Sequence, residues 1–193
     1  MTNITLEIPN VKYKDSFIRA LREFKSNDNK ATIEKEFSAI DIQKCEDDFE
    51  NYVVKSRIDA MNGRNLPEGY VPWTDYWMVD KDGFAGRITF RHYLNDFLKQ
   101  WAGHIGYMVI PSKRRNGYAT QAMALLLSKL KEQNIPEVMI SCADTNIASK
   151  KTIEKAIAVN GGRFTGVVRN ERDNENVLCY WINTAPQINE LTP

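Results

Sequence analysis

The sequence predicts an α+β fold whose sheet is mixed but mostly antiparallel and flanked by helices. Three observations carry this. Two pairs of strand-like stretches follow each other across turn signals, "YWMVD" with "FAGRITFRHY" and "RFTGVVR" with "ENVLCYWIN". Consecutive strands joined so closely pair antiparallel. Separate segments carry apolar residues at helical spacing, and a single strand–loop–helix–strand passage runs through the centre, which calls for one parallel crossover. With 193 residues, the chain is expected to form one domain with a real core over residues 1–193.

Each element has a local reason. "ITLEIP" alternates as a first strand does, and "YKDSFIRALREFK" spaces Phe17, Leu21 and Phe24 along one helical face. Residues 26–76 are the least regular. Within them "EDDFENYVVKSRIDAMNG" reads as one helix, with an acidic first turn and Gly63 at its end. "NLPEGYVPWTDY" reads as a loop with two prolines. The hairpin around "KDG" follows, then a strand in "HIGYMVI". The helix "YATQAMALLLSKLKEQ" places Ala119, Met123, Leu126, Leu127 and Leu130 on one face, and Pro136 prevents its continuation. "EVMISC" is a short strand, "NIASKKTIEKAIA" a second helix, and "GG" the break before the closing strand pair.

Composition narrows the function classes. Hydrophobic residues make up 42% and charged residues 26%, the balance of a globular protein. A net charge of +1 argues against a general nucleic-acid binder, which needs a broad basic face. Apolar runs are too short for a transmembrane helix, and the N-terminal residues do not read as a secretory signal. Cys45, Cys142 and Cys179 lie far apart without a CxxC pair, which fits free thiols in a cytoplasmic protein. With two histidines, no metal site is expected.

The most informative stretch is "VIPSKRRNGYATQAM", residues 109–123, where three cations precede a helix. Pro111 ends the strand, Gly117 supplies backbone freedom, Ala119 keeps the first turn slim and Thr120 adds a hydroxyl. The N–H groups at a helix start, with the positive end of its dipole, bind anions, phosphate above all. Lys113, Arg114 and Arg115 face the unfavourable end of that dipole unless an anion is present. Neither a mononucleotide P-loop nor a dinucleotide fingerprint occurs.

"RRNGYA", Arg114 to Ala119, matches the [QR]-x-x-G-x-[GA] signature of the GNAT (Gcn5-related N-acetyltransferase) superfamily, between the strand and helix which that signature requires. "NIAS", Asn146 to Ser149, resembles the start of the following helix in many members. The run from Trp77 onward resembles an uncharacterised bacterial branch of acetyltransferases. The resemblance implies the GNAT fold, with residues 77–183 as the acetyl-CoA-binding core and about 26–76 as the variable acceptor side. It implies acetyl-CoA as co-substrate, its pyrophosphate on the amides of Arg114, Arg115, Asn116, Gly117, Tyr118, Ala119 and Thr120. The pantetheine is expected along Met108, Val109 and Ile110, with Asn146 and Ser149 nearby.

Acyl transfer to an amine needs a deprotonated nucleophile, a held oxyanion and a protonated leaving thiolate. The family's usual oxyanion donor is a backbone N–H, here at Met108 or Val109. Comparison with the histone-modifying branch makes His104 the candidate general base, the alternatives being ordered water or a hydrogen-bonded structural histidine. Ile153 occupies the position where many members carry a tyrosine acid. Acceptor-side candidates are Arg91 and His92, which either contact the acceptor or hold the connecting loop. Tyr70, Trp73, Asp75 and Tyr76 either frame a cationic amine or form an apolar lid. The expected activity is transfer of acetyl from acetyl-CoA to a small-molecule or peptide amine, without nucleic-acid or membrane partners. The alternative is a CoA-binding sensor that has lost catalysis. An exposed edge strand leaves room for a homodimer.

Overall fold

A computed structural model describes residues 3–26, 32–171 and 174–184. Its seven strands and flanking helices form the GNAT fold. The chain divides into two compact units, Met1–Tyr93 with Gly106–Ala122, and Leu94–Ile105 with Met123–Pro193. Among the described residues no helix is long and apolar enough to cross a membrane.

In the first unit the strands are β1 (Thr5–Glu7), β2 (Trp73–Asp80), β3 (Gly83–Arg91) and β4 (Ile105–Val109, from Gly106 onward), hydrogen-bonded in that order. β1 and β3 both run antiparallel to β2. β2 begins at Trp73, inside the stretch expected to be a loop, because Trp73 and Thr74 pair with Arg91 and Phe90. The strand therefore starts directly after Pro72 rather than at Tyr76. Helix α1 (Lys14–Lys25) buries Phe17, Leu21 and Phe24 as their spacing predicts. Phe17 centres an aromatic cluster, with Phe37, Phe49, Trp77 and Phe84 at ring-centroid distances of 5.0–5.3 Å. Helix α2 (Thr32–Ser38) lies in the irregular region and supplies Phe37 to this cluster.

The helix expected from Glu46 to Gly63 is not continuous. Helix α3 (Ile42–Asp47) ends at Asp48, which has φ −147°. A π-helical turn (Glu50–Lys55) then leads into helix α4 (Ser56–Met61). The Asp48 carboxylate explains the break, since it accepts the Asn51 N–H at 3.1 Å and so starts a new helix. Gly63 closes α4 with φ +70°.

The second unit contains β5 (Glu137–Ala143), β6 (Gly162–Asn170) and β7 (Glu175–Asn183), in spatial order β5-β7-β6 and antiparallel. Ile105 pairs parallel with Ile140, the sense that the central crossover predicts. The crossover helix α5 (Tyr118–Glu132) buries Met123, Leu126, Leu127 and Leu130. Ala122 completes its buried face, while Ala119 is half-buried. Helix α6 (Ile147–Asn160) buries Ile153 and Ala156.

Candidate active site

The loop between β4 and α5 is built by ion pairs. Pro111–Lys113 form a 3-10 turn, after which Arg115 and Gly117 take positive φ values of 62° and 82°. The Lys113 ammonium bonds the Asp80 carboxylate at the end of β2 and reaches Asp82 at 3.1 Å. The Tyr118 hydroxyl donates to the same Asp80 carboxylate at 2.6 Å. Burial alone would raise the pKa of Asp80. The hydrogen bonds from Lys113 and Tyr118 outweigh it and hold the carboxyl below its ordinary range. Arg114 donates from Nε to the Val109 carbonyl at 3.2 Å and from its terminal nitrogen to Glu34 at 2.9 Å. Glu23 accepts from both the backbone N–H and the hydroxyl of Ser112.

Two of the three cations are thus neutralised by carboxylates of the protein itself. The unfavourable dipole geometry is offset internally, and no bound anion is needed to hold the loop. Arg115 is exposed and has no ion-pair partner among the described residues. Gln121 N–H bonds the Gly117 carbonyl at 2.9 Å, so the N–H groups of Tyr118, Ala119 and Thr120 precede the helical ladder. A Cβ at Gly117 would meet nothing within 4 Å. A separate cleft of about 610 Å³ shares Asp80 and Asp82 with the loop's support but includes none of residues 109–120.

β4 is fixed against β3. Ile110 N–H bonds the Ala85 carbonyl at 3.0 Å, and a Cβ on Gly86 would lie 2.3 Å from the Met108 carbonyl oxygen. Glycine at 86 therefore sets the position of the Met108–Val109 backbone, where the oxyanion donor is expected. Met108 and Ile110 point their side chains into the apolar cluster of the first unit.

The acceptor-side candidates differ in setting. Asp75 is fully buried, with Arg57 Nε at 3.3 Å, Arg87 Nη1 at 3.6 Å and the Thr89 hydroxyl donating at 2.5 Å. Burial acts to raise its pKa, and the charges of Arg87 and Arg57 overcome this to leave it an anion. It is already paired with arginines, which argues against the expectation that it frames a cationic amine. His92 shares a 2.9 Å hydrogen bond with Thr74, and its N–H donates to the Pro72 carbonyl at 2.9 Å. Both bonds tie the end of β3 to the residues at the start of β2. Arg91 and Trp73 are half-buried, facing each other across β2 and β3, and Tyr70 lies 5.9 Å from Trp73 at the surface.

In the second unit His104 precedes its strand. Its Nδ1 accepts the Met139 N–H at 2.9 Å, and its backbone N–H donates to the Met139 carbonyl at 2.7 Å. With Nδ1 accepting, the neutral ring carries its proton on Nε2. Asn146 caps α6, its side-chain oxygen accepting Ser149 N–H at 3.0 Å. Ile153 is wholly buried core. Burial pushes the Cys142 thiol up to about 11, so it stays protonated at neutral pH. Among the described residues no group of His, Cys, Asp and Glu is placed to hold a metal ion.

Reasoning from sequence missed Asp80, Glu23, Glu34, Arg57 and Arg87. Asp80 reads locally as the residue before a hairpin turn. The other four read as solvated helix or strand charges.

Residues 20–157, more than half of the chain, match the family model described as an acetyltransferase (GNAT) domain. No curated protein matches in sequence. Among solved structures, RimL, a ribosomal L7/L12 alpha-N-protein acetyltransferase in complex with coenzyme A, is 16% identical with a TM-score of 0.67, covering 95% of each chain. The microcin C7 self-immunity acetyltransferase MccE, in complex with acetyl-CoA and AMP, is 20% identical with a TM-score of 0.65, covering 93% of this chain and 92% of its own. A spermidine N-acetyltransferase chimera of Vibrio cholerae SpeG and hSSAT is 11% identical with a TM-score of 0.59, covering 94% and 95%. The family match and the fold agree with the RRNGYA loop between strand and helix: this chain belongs to the GNAT acetyltransferase family.

Proposed function

We propose that this protein is an N-acetyltransferase that moves the acetyl group of acetyl-CoA directly onto a primary amine. The observation that carries the reading is the loop of residues 109–120. Carboxylates of β2 and α2, Asp80 and Glu34, hold it, with the first-turn amides of α5 outside the helical ladder. Those amides and the exposed Arg115 suit a pyrophosphate, while Arg114 and Lys113 act as struts. The bound CoA and acetyl-CoA of RimL and MccE support the cofactor. The protein and polyamine acceptors named for RimL and SpeG support an amine acceptor. Asn146 and Ser149 are assigned to the cofactor on the resemblance alone. The three buried free thiols suit a reducing, cytoplasmic setting.

In the reaction the amine lone pair attacks the thioester carbonyl carbon, giving a tetrahedral oxyanion. A backbone N–H at Met108 or Val109 is the donor assigned to that oxygen. Collapse breaks the carbon–sulfur bond, the thiolate takes a proton, and the amine loses one. No covalent enzyme intermediate forms.

Calorimetric titration of acetyl-CoA tests this reading. Gly117→Asp adds a negative charge at the first-turn amides, and because φ +82° strains any side chain there, Gly117→Asn is the matched control: wild type and Gly117→Asn bind, and Gly117→Asp loses at least about tenfold. Failure of well-folded wild type to bind acetyl-CoA would sink the assignment.

A further inference from the structure

The sheet face formed by β2 and β3 carries two arginines, joined by a third from α4, that the loop and the cofactor do not explain. Arg87, Thr89 and Arg91 alternate along one face of β3, opposite Trp73, Asp75 and Trp77 of β2. Arg57 joins them from the π-helical turn's continuation into α4. Among the described residues Arg57 and Arg87 share one buried carboxylate, Asp75, and Arg87 also faces one exposed carboxylate, Glu36, whose oxygen lies 3.8 Å from its Nη2. Arg87 is more than nine-tenths buried. Its Nε has no hydrogen-bond partner among the described residues, and neither has Oδ2 of Asp75. A guanidinium has five donors in a fixed fork, and a buried one normally finds acceptors for them. Here its carboxylates sit at ion-pair distance, 3.6 and 3.8 Å, and the buried Nε has no acceptor among the described residues.

Arg87 is also the residue after Gly86, which packs against the Met108 carbonyl. The cationic face therefore begins one residue from the backbone assigned to the reacting acetyl group. The side chains of Trp73 and Tyr70 border it.

We propose that this face is the acceptor subsite for an oxyanion, so that the acceptor is an amine that also carries a carboxylate or phosphate. The inference rests on the acetyltransferase reading. Arg87 supplies the buried contact, Arg57 and Arg91 add charge, and Glu36 competes with the ligand for Arg87. A polyamine, with no anion and extra positive charge, is a poor acceptor for such a face.

The test uses four amines: β-alanine with a carboxylate, phosphoethanolamine with a phosphate, propylamine with neither, and ethylenediamine with a second cation. Thiol release from acetyl-CoA measures turnover, and the shift of the thermal midpoint measures amine binding without cofactor. The expected result is that β-alanine or phosphoethanolamine, whichever anion fits, is bound and acetylated in preference to the other two. Glu36 is exposed, and Glu36→Gln lowers KM for the preferred anionic amine by up to about fivefold, the range for removing an exposed ion pair. Arg87→Gln raises that KM by about tenfold or more and abolishes the preference. A structural ion network would leave KM unmoved in Glu36→Gln. Equal or better use of propylamine or ethylenediamine, or no midpoint shift with either anionic amine, overturns the proposal. Acetyl-CoA binding followed separately by calorimetry shows whether the broader reading falls with it.

Discussion

At Arg114 a guanidinium beside a helix start is held by Glu34 and the Val109 carbonyl, so in the proposed cofactor site its side chain is a strut. His104 presents the same distinction in the second unit. Its one neutral lone pair faces the Met139 N–H, and proton abstraction by Nδ1 requires that bond to open. The side-chain oxygen of an asparagine can take the place of Nδ1 as acceptor. His104→Asn is therefore expected to keep kcat within about threefold of wild type, with an unchanged pH–rate profile, if the ring is a strut. Removal of a general base costs about a hundredfold or more and takes the basic limb of the profile with it. Steady-state kinetics between pH 5 and 9, on the order of the usable range for such a profile, separate the two roles.

Among the elements, the β3–β4 contact is the most sensitive to a single side chain. Gly86 has φ +158°, and an added Cβ meets backbone atoms at 2.3 and 3.0 Å, neither of which can rotate away. Gly86→Ala is expected to lower stability by about 1–3 kcal/mol in urea denaturation, the range for overpacking. Where it folds, it also displaces the Met108–Val109 backbone and lowers kcat. A loss confined to stability, with kcat intact, would separate β4 placement from the chemistry. The region from Ile42 to Met61 shows the opposite sensitivity. One aspartate, Asp48, interrupts a helical pattern because a carboxylate that accepts a nearby N–H competes with the ladder.

For the whole molecule, acid stability follows from the two buried carboxylates of the first unit, Asp75 and Asp80. Both are held below the ordinary carboxylate value of 3.8 in the folded chain. A group with a depressed folded pKa contributes stability that is complete above its unfolded value and lost as pH falls through the folded one. The urea midpoint is accordingly expected to hold from neutrality to about pH 5 and to fall below about pH 4. Asp80→Asn strips Lys113 of its nearer partner and weakens the bond to Tyr118. It should cost about 1–3 kcal/mol at neutral pH and flatten the acid limb. A variant with the wild-type acid limb would show that Asp80 does not anchor the loop.

By itself the sequence determined what depends on near neighbours. Helical spacing predicted the buried face of α1, turn residues the two antiparallel pairs, and the order strand–Pro111–cations–Gly117–helix the loop between β4 and α5 and the family. These signals lie within a few residues, where periodicity and backbone preference act. Only the tertiary structure decided which charges are spoken for. Glu34 meets Arg114 across 80 positions, and Asp80 meets Lys113 and Tyr118 across 33 and 38. It also turned Asp75 from an acceptor-side candidate into a buried partner of Arg57 and Arg87, and left Arg87 Nε without an acceptor among the described residues. Charge pairing is governed by distance through space and by burial, and no local pattern along the chain encodes either.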